Sequence, residues 1–158
     1  KPILKDNDLI IILKDNIKLL SEIDKTIDIE FKKNKEKILF NCDKEQIGRV
    51  FFNLIKNSIE SIQQKFEKDP DFIKKISIEI LQNNDHIKFI LVDNGIGFNQ
   101  IKGEIKDILN PYFTTKKNGT GLGLSIVNKI INDHNGELNF HSINNGAKIE
   151  IYFDKNGN

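Results

Sequence analysis

Two asparagines four residues apart, a carboxylate closing an apolar run, and a glycine-rich stretch leading into an amphipathic segment are the features of this sequence that could do chemistry. Asn53 and Asn57 bracket Asn53-Leu54-Ile55-Lys56-Asn57, and on a helix that spacing puts both amides on one face, one turn apart. An amide carbonyl there can coordinate a hard cation while the NH₂ group donates. The same pair also fits the polar flank of a solvated helix. Asp93-Asn94-Gly95-Ile96-Gly97 has the composition of a turn. At a strand end, however, a carboxylate can accept from an exocyclic amino group, and the glycines let backbone approach a flat ring. In Thr114-Thr115-Lys116-Lys117-Asn118-Gly119-Thr120-Gly121-Leu122-Gly123-Leu124, three alternating glycines run into a helix N-terminus, a natural anion site. A glycine loop with a helix entry is the plainer reading. The spacing is neither the dinucleotide fingerprint nor a P-loop, which needs Lys-Ser/Thr after its last glycine where Leu124-Ser125 stands.

The elements that must position these residues follow from periodicity. Asp8 caps a first helix running to about Ile23, with Leu9, Ile12, Leu13, Ile17 and Leu20 on one face. Ile27 to Phe31 alternates as a half-buried strand, and Lys37 to Asn41 makes a second. Asp43 with Gln46 has the spacing of a capping box, opening a helix to about Phe66. Ile47, Val50, Phe51, Leu54, Ser58 and Ile62 lie on its core side. Lys74 to Leu81 and Ile87 to Val92 form a hairpin that runs directly into Asp93. An irregular stretch with a short helix around Ile101 to Ile108 precedes an amphipathic helix over Leu122 to Asn132, ended near Asn135-Gly136. Glu137 to His141 and Ala147 to Phe153 close the chain as a hairpin around Asn144-Asn145-Gly146.

Composition narrows the classes. The 158 residues are 38% apolar and 30% charged, which suits one domain with one substantial core. A formal charge of +1 argues against a basic nucleic-acid shell and against an acidic tail. Arg49 is the only arginine, so a phosphate ligand must be held by backbone N–H groups, lysines or a metal. The single cysteine, Cys42, excludes an internal disulfide and a Cys-based metal cluster, and fits a reducing compartment. The apolar run Leu9 to Leu13 is too short to cross a bilayer. With no methionine present, Lys1 is expected not to be a native start and the chain to be a piece of a longer protein.

The order of the three motifs resembles the catalytic, ATP-binding domain of the sensor histidine kinases of two-component signal transduction. These belong to the ATPase superfamily shared with gyrase, Hsp90 and MutL. The resemblance runs from about Asp8 to Phe153: Asn53 to Asn57 match the N box, Asp93 to Gly97 the G1 box, Pro111 to Phe113 the F box, and Gly119 to Gly123 the G2 box. Asn110-Pro111-Tyr112-Phe113-Thr114-Thr115-Lys116 is most similar to the nitrogen-regulation subgroup. The resemblance implies an α+β two-layer sandwich of the Bergerat type, about five mixed strands with about three main helices on one face. It also implies a linker at 1–7, arriving from dimerisation and phosphoacceptor helices outside this chain. The catalytic domain would occupy 8–158, with an ATP lid at about 98–120.

Site roles implied by the resemblance are these. Asp93 accepts from the adenine amino group, with Gly95 and Gly97 shaping the ring slot. Asn57 binds Mg²⁺ bridging the ATP phosphates, with Asn53 assisting, and both are the catalytic pair. Gly119, Gly121 and Gly123 let backbone N–H groups cradle phosphate, with Thr120, Leu122 and Leu124 in the same box. Phe113, Thr115 and Lys116 are lid contacts. Superfamily hydrolases usually carry glutamate where Asn53 stands; an amide cannot take a proton from water, which favours transfer over hydrolysis. None of His86, His134 and His141 sits in a phosphoacceptor context, so the acceptor is expected on a separate helical module of the same protein. A response-regulator receiver domain is the indirect partner. The fragment is expected to be monomeric and cytoplasmic, its parent a homodimer and membrane-anchored. An ATPase, a protein-serine kinase or an inert docking domain are the alternatives. Glu60 and Asn110 stand where relatives commonly carry basic and acidic residues respectively, and Asn135 replaces a glycine.

Overall fold

The protein is described here by a computed structural model that covers residues 1–98 and 123–155. Among these, the elements run β1 (Lys5–Asp8), α1 (Leu9–Leu20), β2 (Asp28–Lys33), β3 (Leu39–Cys42), α2 (Lys44–Lys68), β4 (Lys75–Gln82), β5 (His86–Asp93), α3 (Gly123–Asp133), β6 (Gly136–Ile143) and β7 (Gly146–Asp154). Five strands form one mixed sheet in the order β2-β4-β5-β7-β6. Only the β2–β4 pair is parallel. α2 lies over the sheet between α1 and α3, giving the expected α+β two-layer sandwich. The short helix expected around Ile101 to Ile108 lies outside the described residues.

Strict alternation builds the layer interface. Ile76, Ile78 and Ile80 of β4, Ile87, Phe89 and Leu91 of β5, and Ile149, Ile151 and Phe153 of β7 all face inward and are buried. Val50, Phe51, Leu54, Ile55, Ile59 and Ile62 of α2 meet them, with the Phe51 and Phe89 rings 5.0 Å apart between centroids. Truncating any one fully buried aliphatic residue of this interface to alanine costs about 2–5 kcal/mol.

Three local features differ from the sequence expectation. Lys5–Asp8 forms β1, antiparallel to β3, although Lys-Asp-Asn-Asp carries little strand propensity. Its partner strand and the Asp8 carboxylate define the segment: one Asp8 oxygen accepts from Ile10 N, capping α1, and also from Ile38 N. α1 ends at Leu20 rather than near Ile23, where Ser21 N–H returns to Ile17 carbonyl and the chain turns. The capping box at Asp43 is half formed. Asp43 accepts from Gln46 N at 3.1 Å, but the reciprocal acceptor for Asp43 N–H is His134 Nε2, not the Gln46 side chain. His134 Nδ1 donates to Ile130 carbonyl at 2.7 Å, which fixes the neutral Nδ1–H tautomer. Gln46 Oε1 is buried without a partner among the described residues. The imidazole therefore ties the C-terminal end of α3 to the start of α2, 91 residues away.

This arrangement predicts opposite outcomes for two substitutions read by urea unfolding at neutral pH. His134→Ala loses two hydrogen bonds, one buried and one partly buried, and should cost about 2–3 kcal/mol. Gln46→Leu removes an unsatisfied acceptor and should be neutral or mildly stabilising. A destabilised Gln46→Leu beside an unaffected His134→Ala would restore the capping-box account.

Candidate functional site

The alternation along β5 explains the site's first residue. Ile87, Phe89 and Leu91 point into the core, and Asp93, next in that series, points the same way. A carboxylate thus stands where a core residue would, at 5% exposure, against α2. Its oxygens are each met by a donor: Gly95 N–H reaches Oδ1 at 2.9 Å and the Ser58 hydroxyl reaches Oδ2 at 2.8 Å. Burial pushes the Asp93 carboxyl above its ordinary range, opposed by the Gly95 and Ser58 hydrogen bonds and the charge of Lys65.

The segment after Asp93 is clasped by the same helix. Ser61 Oγ accepts from Ile96 N–H at 3.0 Å, and Lys65 Nζ donates to Asn94 carbonyl at 2.9 Å while lying 4.5 Å from the Phe72 ring centroid. Ser58, Ser61 and Lys65 are spaced i, i+3, i+7 and form one polar row down α2. From the other side, the Asn94 amide accepts from Lys75 N and donates to Ile73 carbonyl, tying the turn to β4. A Cβ on Gly95 would strike Ser61 and the Ile62 amide, and Gly97 sits at φ +68 beside Gly146. Both glycines thus have a packing reason within the protein, whatever else they shape.

Asn53 and Asn57 are half-buried on α2, with Ser61 continuing their row. Asn57 adjoins Ser58 in the chain and precedes Ser61 by one turn; Ser58 bonds Asp93, and Ser61 bonds the turn after it. Glu60 is half-buried one turn past Asn57. Gly123 opens α3, and Leu124 packs onto the core. Phe113, Thr115, Lys116, Gly119, Thr120, Gly121 and Leu122 lie outside the described residues. The structure therefore holds Asp93 and the turn after it against the second half of α2 through Ser58 and Ser61, with Asn53 and Asn57 on the row that Ser61 continues, while Gly97 sits against Gly146. Other reactive groups belong elsewhere. Burial pushes the Cys42 thiol up to about 11, leaving it protonated and inert at neutral pH. His134 is committed to its two backbone partners, and His141 pairs with Glu150 at 2.6 Å on the sheet. Ser58, Ser61 and Lys65 were not among the sequence-derived candidates. A hydroxyl at position 58 within an otherwise apolar helix face was the available signal, because a buried hydroxyl needs a partner.

A buried acceptor at a strand end, clamped from a helix that also carries two amides one turn apart, suits a flat ligand carrying an amino group and an anionic tail. Residues 42–157 match the family described as histidine kinase-, DNA gyrase B- and HSP90-like ATPases. The chain belongs to this family. Within it, the likeness is to sensor histidine kinases. A putative NtrY-like sensor histidine kinase of Rickettsia conorii is 33% identical over 150 residues, covering 94% of this chain but 24% of that protein. Among solved structures, the catalytic domain of histidine kinase ThkA is 28% identical, with a TM-score of 0.82 and coverage of 97% of this chain and 96% of that one. ThkA in complex with the response regulator protein TrrA is 26% identical, with a TM-score of 0.77, covering 98% of this chain and 42% of that chain. The chain spans about a quarter of the length of the curated relatives it matches. No described helix is long and apolar enough to cross a membrane.

The raised Asp93 carboxyl makes a stability prediction for the domain without nucleotide. A raised folded-state value contributes stability below the unfolded value of about 3.8, and this is lost as pH rises through the folded value. Asp93→Asn removes that titration while keeping an acceptor for Gly95 N–H. In denaturant melts across pH, the variant should gain on the parent as pH rises from the acid range to neutrality. A constant difference between the two would show that Asp93 carries no such strain.

Proposed function

We propose that this chain is the Mg²⁺·ATP-binding half of a protein-histidine kinase, donating the γ-phosphoryl group to a histidine on separate dimerisation and phosphoacceptor helices of the same protein. The observation that carries the reading is the buried Asp93 carboxylate bonded to Ser58 on α2, the helix that carries Asn53 and Asn57. Asp93 accepts from the adenine 6-amino group, which fixes the base and its orientation. Asn57 offers a carbonyl oxygen to the metal, and Asn53 supports it from one turn earlier. Among the described residues no three His, Cys, Asp or Glu side chains gather as a metal cage. Asn57, with Asn53 one turn earlier, would hold a Mg²⁺ ion through its amide oxygen. When bound, it neutralises charge on the transferring phosphoryl group.

Transfer rather than hydrolysis is favoured by the amide at position 53. The Asn53 amide cannot act as a general base, so water entering the site is not activated by it. Gly95, Gly97, Gly119, Gly121, Gly123, Phe113, Thr115, Lys116, Thr120, Leu122 and Leu124 complete the proposed nucleotide contacts. Residues 1–7 serve as the connection from the phosphoacceptor helices and 8–158 as the catalytic domain. The parent is proposed to be a homodimer; its proposed partnering with a response-regulator receiver domain is supported by the complex of ThkA with the response regulator protein TrrA. The catalytic domain acts on the cytoplasmic side.

Two measurements check this. Mixed with the separately prepared helical module and γ-labelled Mg²⁺·ATP, the chain should place acid-labile label on that module and none on His86, His134 or His141. Asn57→Ala should slow this transfer about a hundredfold or more. Asp93→Ala should weaken nucleotide binding about five- to 150-fold by equilibrium titration, with the fold retained by circular dichroism. Acid-stable phosphoserine on the partner, or steady phosphate release from the chain alone, would contradict the kinase reading.

A further inference from the structure

The Asp93 clasp contains a residue whose placement bears on which base the site accepts. We infer that Ser58 is a positioning residue that sets the preference for a 6-amino over a 6-oxo purine, by holding Asp93 as an oriented, ionised acceptor. The inference rests on the adenine-nucleotide reading above and deepens it.

The hydrogens already committed around Asp93 decide what a ligand must bring. Ser58 is 2% exposed, and its single hydroxyl hydrogen is directed at Asp93 Oδ2. Gly95 N–H is directed at Oδ1. Both donors are therefore spent on the carboxylate, and every lone pair remaining on Asp93 Oδ1, Oδ2 and Ser58 Oγ is an acceptor. A ligand edge meeting this group must bring a hydrogen. The 6-amino group of adenine does; the 6-oxygen of hypoxanthine or guanine brings only lone pairs. A protonated Asp93 would invert the preference, because its O–H is a donor that a 6-oxo group can accept.

Base selectivity is thus tied to keeping the carboxyl ionised in a dry setting, and burial works against that. Lys65 is the charged residue acting on Asp93 among the described residues, whereas the strand neighbours Ile76 on β4 and Ala147 on β7 carry no charge. Lys65 is held by Asn94 carbonyl, so it cannot swing in to replace a lost donor without releasing the turn. The Gly95 amide belongs to that same turn. Ser58 is therefore the one side chain that donates a hydrogen bond to Asp93 among the described residues.

The test measures dissociation constants of Mg²⁺·ATP and Mg²⁺·ITP in a pH series running from the acid to the alkaline side of neutrality. The parent, Ser58→Ala and Ser58→Thr are compared. The parent should prefer ATP throughout. Ser58→Ala should lose about five- to tenfold in ATP affinity at the acid end and less at the alkaline end, with the ATP-to-ITP ratio narrowing in step. Ser58→Thr, which restores the hydroxyl, should recover both. If Ser58→Ala leaves affinity unchanged, or lowers it equally at every pH with the ATP-to-ITP ratio kept, the inference is overturned while the nucleotide site stands. A parent that binds neither nucleotide would overturn the site reading and this inference with it.

Discussion

A carboxylate buried at a strand end is tolerable only where donors meet its oxygens, and the local geometry follows from meeting that demand at Asp93. The period of β5 turns the side chain inward. Ser58 supplies one donor from α2, and Gly95 N–H supplies another by bending back immediately after the strand. The bend has to be tight, so the following backbone presses on Ser61 closely enough to exclude any Cβ at Gly95. Ser61 and Lys65 then fasten the turn, and Asn94 fastens its far side to β4. What looks like a turn signature in the sequence is the consequence of housing one charge.

α2 carries two jobs on adjoining faces. Its apolar face supplies Val50, Phe51, Leu54, Ile55, Ile59 and Ile62 to the core. The neighbouring polar rows hold Asn53, Asn57 and Ser61 on one side and Ser58, Ser61 and Lys65 on another, meeting at Ser61. Because the helix is fixed by the core, the side chains of those rows inherit its rigidity, which is what a recognition site requires. The helix is in turn pinned at its start by Asp43. That carboxylate accepts from Ile3 N and Gln46 N, which hold its carboxyl below the ordinary range, while its own N–H goes to His134. α3, which follows the glycine-rich segment, is thereby coupled directly to the N-terminus of the helix bearing the amide pair.

Much of this was legible in the sequence, because it rests on local rules. The alternation of β4, β5 and β7, the helical stripe of α2 and the caps at Asp8 and Asp43 all follow from residue spacing. The left-handed Asn135, at φ 57, follows from the helix-ending pair Asn135-Gly136. What escaped is tertiary in origin. β1 exists because β3 offers it a partner, not because of its own residues. His134 displaces Gln46 from the capping box across 91 positions of chain. The Ser58–Asp93 bond spans 35 positions, and no local pattern announces which buried hydroxyl meets which carboxylate. The family resemblance named residues expected to face a ligand and passed over Ser58, Ser61 and Lys65, which hold Asp93 and the turn after it.

The most direct test of the central claim, an adenine-selective site built on Asp93 that binds without turning over, is calorimetric titration of the chain with Mg²⁺·ATP and, separately, Mg²⁺·GTP. The account predicts a saturable heat for ATP that returns to baseline after each injection, and no saturable heat for GTP. A sustained heat flow after ATP would mean turnover and contradict the kinase-half assignment. Equal responses to the two nucleotides would contradict the role of Asp93, and no heat with either at several temperatures would contradict the site itself.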